Sequence, residues 1–287
     1  MGKLVLIDGH SILNRAFYGV PELTNSKGLH TNAVYGFLNI MFRVIEDEGA
    51  DYLAVAFDLK EPTFRHKMYA AYKGTRKPMP QELHEQVPVM KEVLTAMGVP
   101  ILTKAGYEAD DILGTIAKRC AAEGVEVSIV SGDRDLLQLA DTHIKIRMPR
   151  TSKGTTEIRD YYPEDVKAEY QVTPIEFIDV KALMGDTSDN IPGVKGIGEK
   201  TALTLVQNFG TLEGVYEHID DKLIKPKQRE HLLECREMAQ LSHTLGTIRT
   251  DAPIDTAEGA YAVGEGNKAE AVRLLQELEI HSLIPRF

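Results

Sequence analysis

The first half of the chain alternates short apolar runs with amphipathic stretches, and this alternation restricts the fold more than any other feature. Strands separated by helices imply βαβ units and a mostly parallel sheet flanked by helices, which is an α/β fold. The apolar runs predict strands at residues 3–7, 52–57, 99–102, 125–130 and 144–148. The stretches between them predict helices at residues 32–48, 81–97 and 110–123. The functional site of such a sheet lies outside the carboxyl ends of its strands.

The pattern changes after about residue 160, where strand signals fade and helical periodicity dominates. It predicts helices at residues 174–184, 199–209, 212–218 and 228–241. Residues 149–156 contain Ser152, Lys153 and Gly154 and predict a turn or an exposed loop before this change. We therefore expect an α/β domain at residues 1–171 and a helical region at residues 172–287.

The composition is that of a soluble globular protein, and it argues against a membrane-spanning, a secreted or a disulfide-rich protein. The chain has 287 residues and no run that approaches the roughly 18 apolar residues of a membrane span. Its N-terminus lacks the features of a signal peptide. Cys120 and Cys235 show no metal-ligand spacing and cannot form a disulfide framework, so we expect a reducing cytoplasm. The net charge of −10 argues against nucleic acid unless the charges are unevenly distributed.

Carboxylates follow several of the predicted strands. Asp8 ends the first strand in LVLIDGHS, and Asp58 ends the second in LAVAFDLK. A single Asp in such a place is most often a helix N-cap or part of a turn. The remaining carboxylates are Glu108, Asp110 and Asp111 in GYEADDILG, Asp133 and Asp135 in SIVSGDRDL, and Asp186 and Asp189 in LMGDTSDNIPG.

A role as a helix N-cap explains each carboxylate by itself, but it does not explain why carboxylates follow several strands of the same sheet. Three strands of one parallel sheet that all end in carboxylates crowd negative charge at one edge, which is destabilising unless something neutralises it. Hard divalent cations take oxygen ligands, and two Mg²⁺ ions roughly 3.5–4 Å apart can stabilise both oxygens of a phosphodiester displacement. Bound metal also lets an acidic pocket receive a phosphate. The pattern therefore predicts a divalent-metal site, and the net charge no longer excludes a nucleic-acid substrate.

A basic segment follows Asp58 directly. Residues 60–77 carry six Lys or Arg against one Glu, with Phe64, Tyr69 and Tyr72 interleaved. Basic side chains track phosphates, and aromatic side chains stack on unpaired bases. A solvated helix face is the alternative. The position beside the strand-end carboxylates favours an element that clamps or threads DNA.

A glycine-rich turn opens a helix at residues 189–206. Gly193, Gly196 and Gly198 allow a tight turn, and helix-forming residues follow at once. Free backbone N–H groups at a helix start bind anions, which suits non-specific contact with a DNA backbone. A Pro-Gly connector between two helices is the alternative. No strand precedes the turn, so a dinucleotide-binding fingerprint is disfavoured.

Five blocks in this order and spacing resemble, over nearly the whole chain, the 5′ nuclease domain of bacterial DNA polymerase I, a member of the flap endonuclease family. The resemblance implies a PIN-like α/β fold with a helical arch at about residues 60–80 and a C-terminal helix-three-turn-helix region. The matching blocks are LVLIDGHSILNRAF, VAFDLKEPTFRHKMYAAYKGTR, GYEADDILGTIA, VSGDRDLLQL and LMGDTSDNIPGVKGIGEKTA.

The resemblance also implies roles for individual residues. A first metal group comprises Asp8, Asp58, Glu108, Asp110 and Asp111, and a second comprises Asp133, Asp135, Asp186 and Asp189. On the arch, Lys73 and Arg76 contact the scissile phosphate, with Tyr72 as their aromatic neighbour. Arg15 and Arg65 lie near the 5′ strand. The duplex backbone is held by the turn residues Gly193, Val194, Lys195, Gly196, Ile197, Gly198 and Lys200.

The implied reaction is hydrolysis by a metal-activated water at nicks, gaps and 5′ flaps, including removal of RNA primers. Its cofactors are two or more Mg²⁺ or Mn²⁺ ions, with K⁺ at the glycine-rich turn. We expect a monomer in the bacterial cytoplasm, associated with the nucleoid and not with a membrane. We also expect the natural protein to continue into a DNA polymerase.

Three alternatives compete with this interpretation. A phosphatase of the haloacid-dehalogenase type needs a second Asp two residues after the first, where this chain has His10. A small PIN-domain ribonuclease explains the carboxylates but not the helical region. A DNA-junction-binding module without catalysis gains nothing from uncompensated carboxylates. Loss of cleavage, rather than of binding, in EDTA would distinguish the nuclease from the last of these.

Overall fold

A six-stranded sheet forms the centre of the computed structural model, which describes residues 2–152 and 155–287. The spatial order of the strands is β3-β2-β1-β4-β5-β6; all neighbours are parallel except the last pair, which is antiparallel. The strands are β1 (Lys3–Asp8), β2 (Tyr52–Ala56), β3 (Ile101–Leu102), β4 (Glu126–Val130), β5 (Ile144–Ser152) and β6 (Thr155–Tyr161).

Thirteen α-helices lie within the described residues, and three short 3₁₀ helices occur at Arg134–Leu139, Glu258–Tyr261 and His281–Arg286. The α-helices are α1 (Gly9–Gly19), α2 (Asn32–Glu48), α3 (Phe64–Met68), α4 (Gln81–His84), α5 (Gln86–Ala96), α6 (Ala109–Ala122), α7 (Pro163–Tyr170), α8 (Glu176–Met184), α9 (Glu199–Phe209), α10 (Leu212–Glu217), α11 (Pro226–Glu234), α12 (Arg236–Gly246) and α13 (Lys268–Glu277). None of them is long and apolar enough to cross a membrane.

Two hydrophobic cores lie on opposite faces of the sheet, as the alternation of side chains along β1 requires. Leu4 and Leu6 belong to one core, which includes α6 and extends into α8 and α9. Val5 and Ile7 belong to the other, which includes α2 and α5. Because β1 is buried on both faces, its sequence is a continuous apolar run.

The topology brings three strand ends together at one edge of the sheet. Strand β1 lies between β2 and β4, with Asp8 beside Ala56 and Ile7 beside Val130. Asp58 and Asp133 follow those strand ends by two and three residues. Strands β2 and β3 are added on one side of β1, and β4 to β6 are added on the other side. The point at which the strand order changes side opens a crevice at the carboxyl ends of the strands.

The five predicted strands and the mostly parallel sheet are confirmed. The predicted turn or loop at residues 149–156 is wrong where the structure describes it, because Pro149 lies in β5 and Thr156 in β6. Lys153 and Gly154 of that prediction lie outside the described residues. The cause is local: β-branched residues favour the strand state, and an edge hairpin tolerates a proline that cannot donate a hydrogen bond.

The predicted helices are found with two interruptions. Helix α4 ends at His84 because Pro88 cannot donate the hydrogen bond that would continue it. The helix predicted at 228–241 is split into α11 and α12 at Cys235. Within residues 60–80 only α3 is helical, and most of that segment consists of turns and extended chain.

The final segment of the chain returns to the α/β body. The backbone N–H groups of Gly264 and Asn267 donate to the carbonyl oxygens of Gly98 and Ala96 at 2.9 and 2.6 Å. Helix α13 packs in the core that contains α2 and α5. Residues 264–287 therefore lie on the α/β body, although they follow the helical region in sequence.

Candidate active site

A cleft of about 1140 Å³ opens at the carboxyl edge of the sheet. Its walls come from the ends of β1, β2 and β4, from α1, from the start of α6, from part of the basic segment and from the turn after α8. Seven of the nine predicted carboxylates line it: Asp8, Asp58, Glu108, Asp110, Asp133, Asp135 and Asp186. The structure therefore brings into one cleft residues that are up to 178 positions apart in the sequence.

Asp8 is both a helix cap and a wall of the cleft. Its Oδ1 atom accepts a hydrogen bond from the Ser11 backbone N–H at 3.2 Å, and its Oδ2 atom accepts one from the Ser131 hydroxyl at 2.8 Å. Burial, together with the nearby charge of Asp58, raises the pKa of Asp8 to about 7. Capping is thus part of the explanation for Asp8, but a capping role alone leaves this concentration of charge unexplained.

Asp110 has no hydrogen-bond or ion-pair partner among the described residues. Burial raises the pKa of its carboxyl well above the ordinary value, and the charges of Asp8, Asp133 and Asp58 raise it further. A partnerless carboxyl group beside three others is costly for the folded protein unless a cation is present. Asp110 is therefore the residue that a capping explanation accounts for least.

A second acidic group lies on the other side of the cleft. Asp135, Asp186 and Asp189 each place a carboxylate oxygen within 4.8 Å of the other two, which is the closest such convergence among the described residues. The Lys181 ammonium pairs with Asp135 and lies 2.9 Å from Asp186 Oδ2. Burial opposes the ionised form of Asp186, but Lys181 and Ser188 lower the pKa of Asp186 to about 2.

Of the nine predicted carboxylates, Asp111 and Asp189 do not line the cleft, and neither does the predicted Arg65. Asp111 is fully buried beneath the cleft and accepts two hydrogen bonds from the Arg65 guanidinium, at 2.7 and 2.8 Å. Arg65 is only 3% exposed and also donates to Glu108 at 2.6 Å. Neighbouring residues on a helix point in directions about 100° apart, so Asp110 faces the cleft while Asp111 faces the protein interior. In the structure Asp111 and Arg65 are therefore buried and paired with each other, away from the lining of the cleft.

Arg65 is expected to be a major contributor to stability. Its guanidinium donates five hydrogen bonds, to Glu108, twice to Asp111, and to the carbonyl oxygens of Leu245 and Thr247. Arg65→Met should lower the free energy of unfolding by about 3–5 kcal/mol, because it leaves buried carboxylates unpaired. Urea denaturation measures this change, with the exposed Arg273→Met as a control that should change little. A change as small as that of the control would contradict a structural role.

The basic segment contributes two cations to the cleft. Lys73 pairs with Glu108, and Arg76 pairs with Asp189. The Lys73 backbone has a φ of 57°, a left-handed conformation that non-glycine residues rarely adopt, and its N–H donates to the Asp189 carbonyl at 2.8 Å. Burial opposes the charged form of Lys73, but Glu108 raises the pKa of the ammonium above its ordinary value. Tyr72 is buried behind the cleft, where its hydroxyl donates to Glu108 at 3.0 Å.

The glycine-rich turn joins α8 to α9, and its predicted residues divide into two sets. Gly193, Val194 and Ile197 are buried and hold the turn against the protein. Lys195, Gly196, Gly198 and Lys200 are exposed. The exposed set lies in the turn before α9 and at the start of that helix, where it is available to a ligand. The buried set positions the turn that carries Asp186 and Asp189.

Gly193 is required by its geometry. Its φ is 61°, and an added Cβ would lie 2.3 Å from the backbone nitrogen of Gly185. Gly193→Ala should therefore lower the free energy of unfolding by about 2 kcal/mol or more, through strain and backbone overlap. Gly198→Ala is the matched control, since φ there is −92° and nothing lies within 4 Å of an added Cβ. Equal unfolding midpoints for the two variants would refute this account of the turn.

Several residues of the cleft were not singled out from the sequence. Lys181 lines it from α8, His10 lies beside Asp58, and Asn14 and Tyr18 extend the face of α1 that begins at Ser11. The spacing of Ser11, Asn14 and Tyr18 along α1 was a signal available in the sequence, because residues three and four apart share a helix face. Lys181 gave no such signal, since a lysine within an otherwise apolar helix is ordinary.

The donor set fits hard divalent cations. All seven carboxylates contribute oxygen atoms only, which is the preference of Mg²⁺, Mn²⁺ and Ca²⁺. Asp8 and Asp110 have no ion-pair partner among the described residues, and burial together with neighbouring carboxylates raises the pKa of both. The residues therefore suit divalent ions at the strand ends. They also suit an ion between Asp135, Asp186 and Asp189, because the carboxylate oxygen atoms of these three residues lie within 4.8 Å of one another.

Known structures share this fold. The T5 flap endonuclease in complex with DNA and metal ions has a TM-score of 0.70 at 24% identity, over 96% of this chain and 99% of that one. The catalytic core of Rad2 in complex with DNA substrate has a TM-score of 0.64 at 15% identity, over 100% and 93% of the two chains. At these identities the likeness establishes the fold alone.

The sequence comparisons are more specific. Residues 3–171 match "5′-3′ exonuclease, N-terminal resolvase-like domain", and residues 172–269 match "5′-3′ exonuclease, C-terminal SAM fold". The chain is 46% identical over 284 residues to DNA polymerase I of Bacillus caldotenax and 44% identical to that of Bacillus subtilis. The aligned region covers 99% of this chain but only 32% of the length of each polymerase. The chain therefore belongs to the 5′-3′ exonuclease family and resembles about a third of the length of bacterial DNA polymerases I.

Proposed function

We propose that this chain is a divalent-metal-dependent 5′ nuclease that hydrolyses phosphodiesters at 5′ flaps, nicks and gaps, RNA primers included. The observation that carries the proposal is the cleft, where strand-end carboxylates lie beside Lys73 and Arg76, and where one of them, Asp110, has no partner among the residues described. Membership of the 5′-3′ exonuclease family supports the reaction. The T5 flap endonuclease and the Rad2 core, both solved with DNA, support the substrate.

The metal ligands we propose fall into two groups around the cleft. The strand-end group is Asp8, Asp58, Asp110 and Asp133, with Glu108 at its border; the second group is Asp135, Asp186 and Asp189. When bound there, Mg²⁺ or Mn²⁺ would supply an activated water and stabilise the charge that develops on the phosphate. Asp111 is not included, because its oxygen atoms are held by Arg65 and by backbone N–H groups.

Cationic side chains of the cleft bind and orient the phosphate. A phosphate that enters competes with Glu108 for Lys73 and with Asp189 for Arg76, because each of these cations lines the cleft and is paired with a carboxylate. Arg15 also lines the cleft, and its buried Nε atom has no hydrogen-bond partner within residues 2–152 and 155–287. Once they have exchanged these carboxylates for the phosphate, Lys73 and Arg76 stabilise the negative charge that develops in the transition state.

The exposed part of the glycine-rich turn binds the duplex at a distance from the cut. Backbone N–H groups at the start of α9 and the exposed Lys195 and Lys200 suit phosphate oxygens. We include K⁺ at this turn, and continuity with a DNA polymerase in the natural protein, as parts of the proposal. The second is supported by curated relatives that are about three times as long as this chain.

The test is cleavage of a 5′-labelled flap DNA, with and without Mg²⁺, beside a matched single strand. We expect Mg²⁺-dependent cutting near the junction, its abolition by EDTA, and its loss in Asp8→Asn. Binding of the same flap, measured in Ca²⁺, should survive in that variant. Cleavage of the single strand at the same rate would remove the structure specificity from the proposal.

The competing function is a junction-binding module without catalysis. Tight flap binding with no cutting in either Mg²⁺ or Mn²⁺ would favour it. Cutting that persists in EDTA would reject metal dependence while leaving the nuclease in place.

A further inference from the structure

Lys181 is a buried cation that the proposed reaction does not use. It lies on α8, lines the cleft and is only 3% exposed. Lysine is almost never this buried unless its charge is paired. Its ammonium pairs with Asp135 and lies 2.9 Å from Asp186 Oδ2. The side chain therefore spans two carboxylates of the second acidic group.

The two acidic groups differ in how the protein neutralises them. In the second group Asp135 and Asp186 share Lys181, and Asp189 pairs with Arg76. In the strand-end group Asp110 has no partner among the described residues. Lys73 pairs with Glu108 only at the border of the strand-end group, and no ion pair holds Asp8, Asp110 or Asp133 among the described residues. A divalent ion that enters the second group instead meets a cation that already pairs with two of its three carboxylates.

Packing keeps the Lys181 ammonium in this position. Its aliphatic stem lies against Gly246 at the end of α12, where an added Cβ would lie 3.4 Å from Lys181 Cδ. The stem is buried along its length, as is usual for a lysine whose head group is held at a fixed point. The ammonium therefore has little room to withdraw when a second cation approaches.

We propose that Lys181 is a built-in competitor for divalent metal at Asp135, Asp186 and Asp189, so that this group binds an ion more weakly than the strand-end group. The inference rests on the metal sites of the proposed function. Like charges a few ångströms apart repel strongly in a partly buried site, so removal of the ammonium strengthens metal binding there. The two groups consequently fill in sequence as the metal concentration rises, with the strand-end group first.

The test is to measure the affinity of the whole chain for Mn²⁺ in the absence of DNA. Isothermal titration calorimetry gives the heat of binding, and electron paramagnetic resonance gives the concentration of free Mn²⁺. Wild type should show a tighter and a weaker class of site. Lys181→Met removes the charge but keeps the length, and it should tighten the weaker class about tenfold or more. Lys181→Arg keeps the charge and should resemble wild type. The tighter class should be the same in all three proteins.

Stability provides a readout that does not depend on activity. Lys181→Met leaves Asp135 and Asp186 unpaired, so its unfolding temperature without metal should fall. Saturating Mn²⁺ should then raise that temperature more in Lys181→Met than in wild type, because the ion binds the folded variant more tightly. Lys181→Gln, which can still donate a hydrogen bond, should show the same larger gain.

Two results would overturn the inference. If the weaker class is unchanged or lost in Lys181→Met, and Mn²⁺ stabilises both proteins equally, the lysine positions the carboxylates rather than competing with metal. If wild type itself binds no Mn²⁺, the metal sites of the proposed function fail as well. The first result leaves Mg²⁺-dependent cleavage by wild type intact, so the two failures are distinguishable.

Discussion

Asp110→Asn is expected to abolish cleavage of a 5′-flap DNA in Mg²⁺, with a fall in rate of about a thousandfold or more, while the protein becomes no less stable. A metal ligand contributes several kcal/mol to the transition state, and each 1.36 kcal/mol corresponds to about tenfold in rate. The Asp110 carboxyl has no partner in the part of the chain that the structure describes, and its neighbours are Asp8, Asp58 and Asp133. Neutralising it therefore relieves repulsion in the metal-free protein and breaks no contact.

The adjacent Asp111→Asn is the matched control for that prediction. Asp111 accepts hydrogen bonds from Arg65 and from the backbone N–H groups of Glu108 and Arg249, so its loss should lower the unfolding temperature. Rapid-quench cleavage and thermal unfolding without metal distinguish the two variants. Full activity of Asp110→Asn in Mg²⁺ would remove Asp110 from the metal site. A marked loss of stability would mean that its carboxylate has a structural role.

Lys73→Ala is expected to slow single-turnover cleavage by about 10²–10³-fold, the usual effect of removing one preorganised donor to a developing charge. Its affinity for flap DNA should change much less, because one of several phosphate contacts is lost. Lys73 lies at the cleft wall in a backbone conformation that Ala and Lys adopt equally poorly, so the change removes the ammonium without new strain.

Lys77→Ala provides the comparison for Lys73. Lys77 also lines the cleft, but its side chain is exposed and we assign it no role at the scissile phosphate. Its loss should weaken flap binding and lower kcat/KM to a similar extent, while the rate at saturating enzyme stays near that of wild type. Equal losses of rate and affinity in Lys73→Ala would make Lys73 a simple affinity contact as well.

Local features of the sequence were sufficient to predict the sheet and the location of the site. Short apolar runs between amphipathic stretches predicted five strands. Parallel strands bring their carboxyl ends to the same edge of a sheet. Asp8, Asp58 and Asp133 could therefore be assigned to one cleft without coordinates. The β5–β6 hairpin was missed because its β-branched residues were outweighed by Ser152, Lys153 and Gly154, which predict a turn.

The sequence by itself determined which residues lie near the cleft, but only the tertiary structure decided what each of them contacts. Asp110 and Asp111 are neighbours with the same chemistry, and the packing of α6 turns one to the cleft and the other to Arg65. Arg65 in turn is fixed by the Leu245 carbonyl, 180 residues away in sequence. Lys181 likewise acquires Asp135 as a partner only when α8 packs beside the 3₁₀ helix Arg134–Leu139. Side-chain direction and long-range pairing depend on how the elements pack, and local patterns carry no record of that packing.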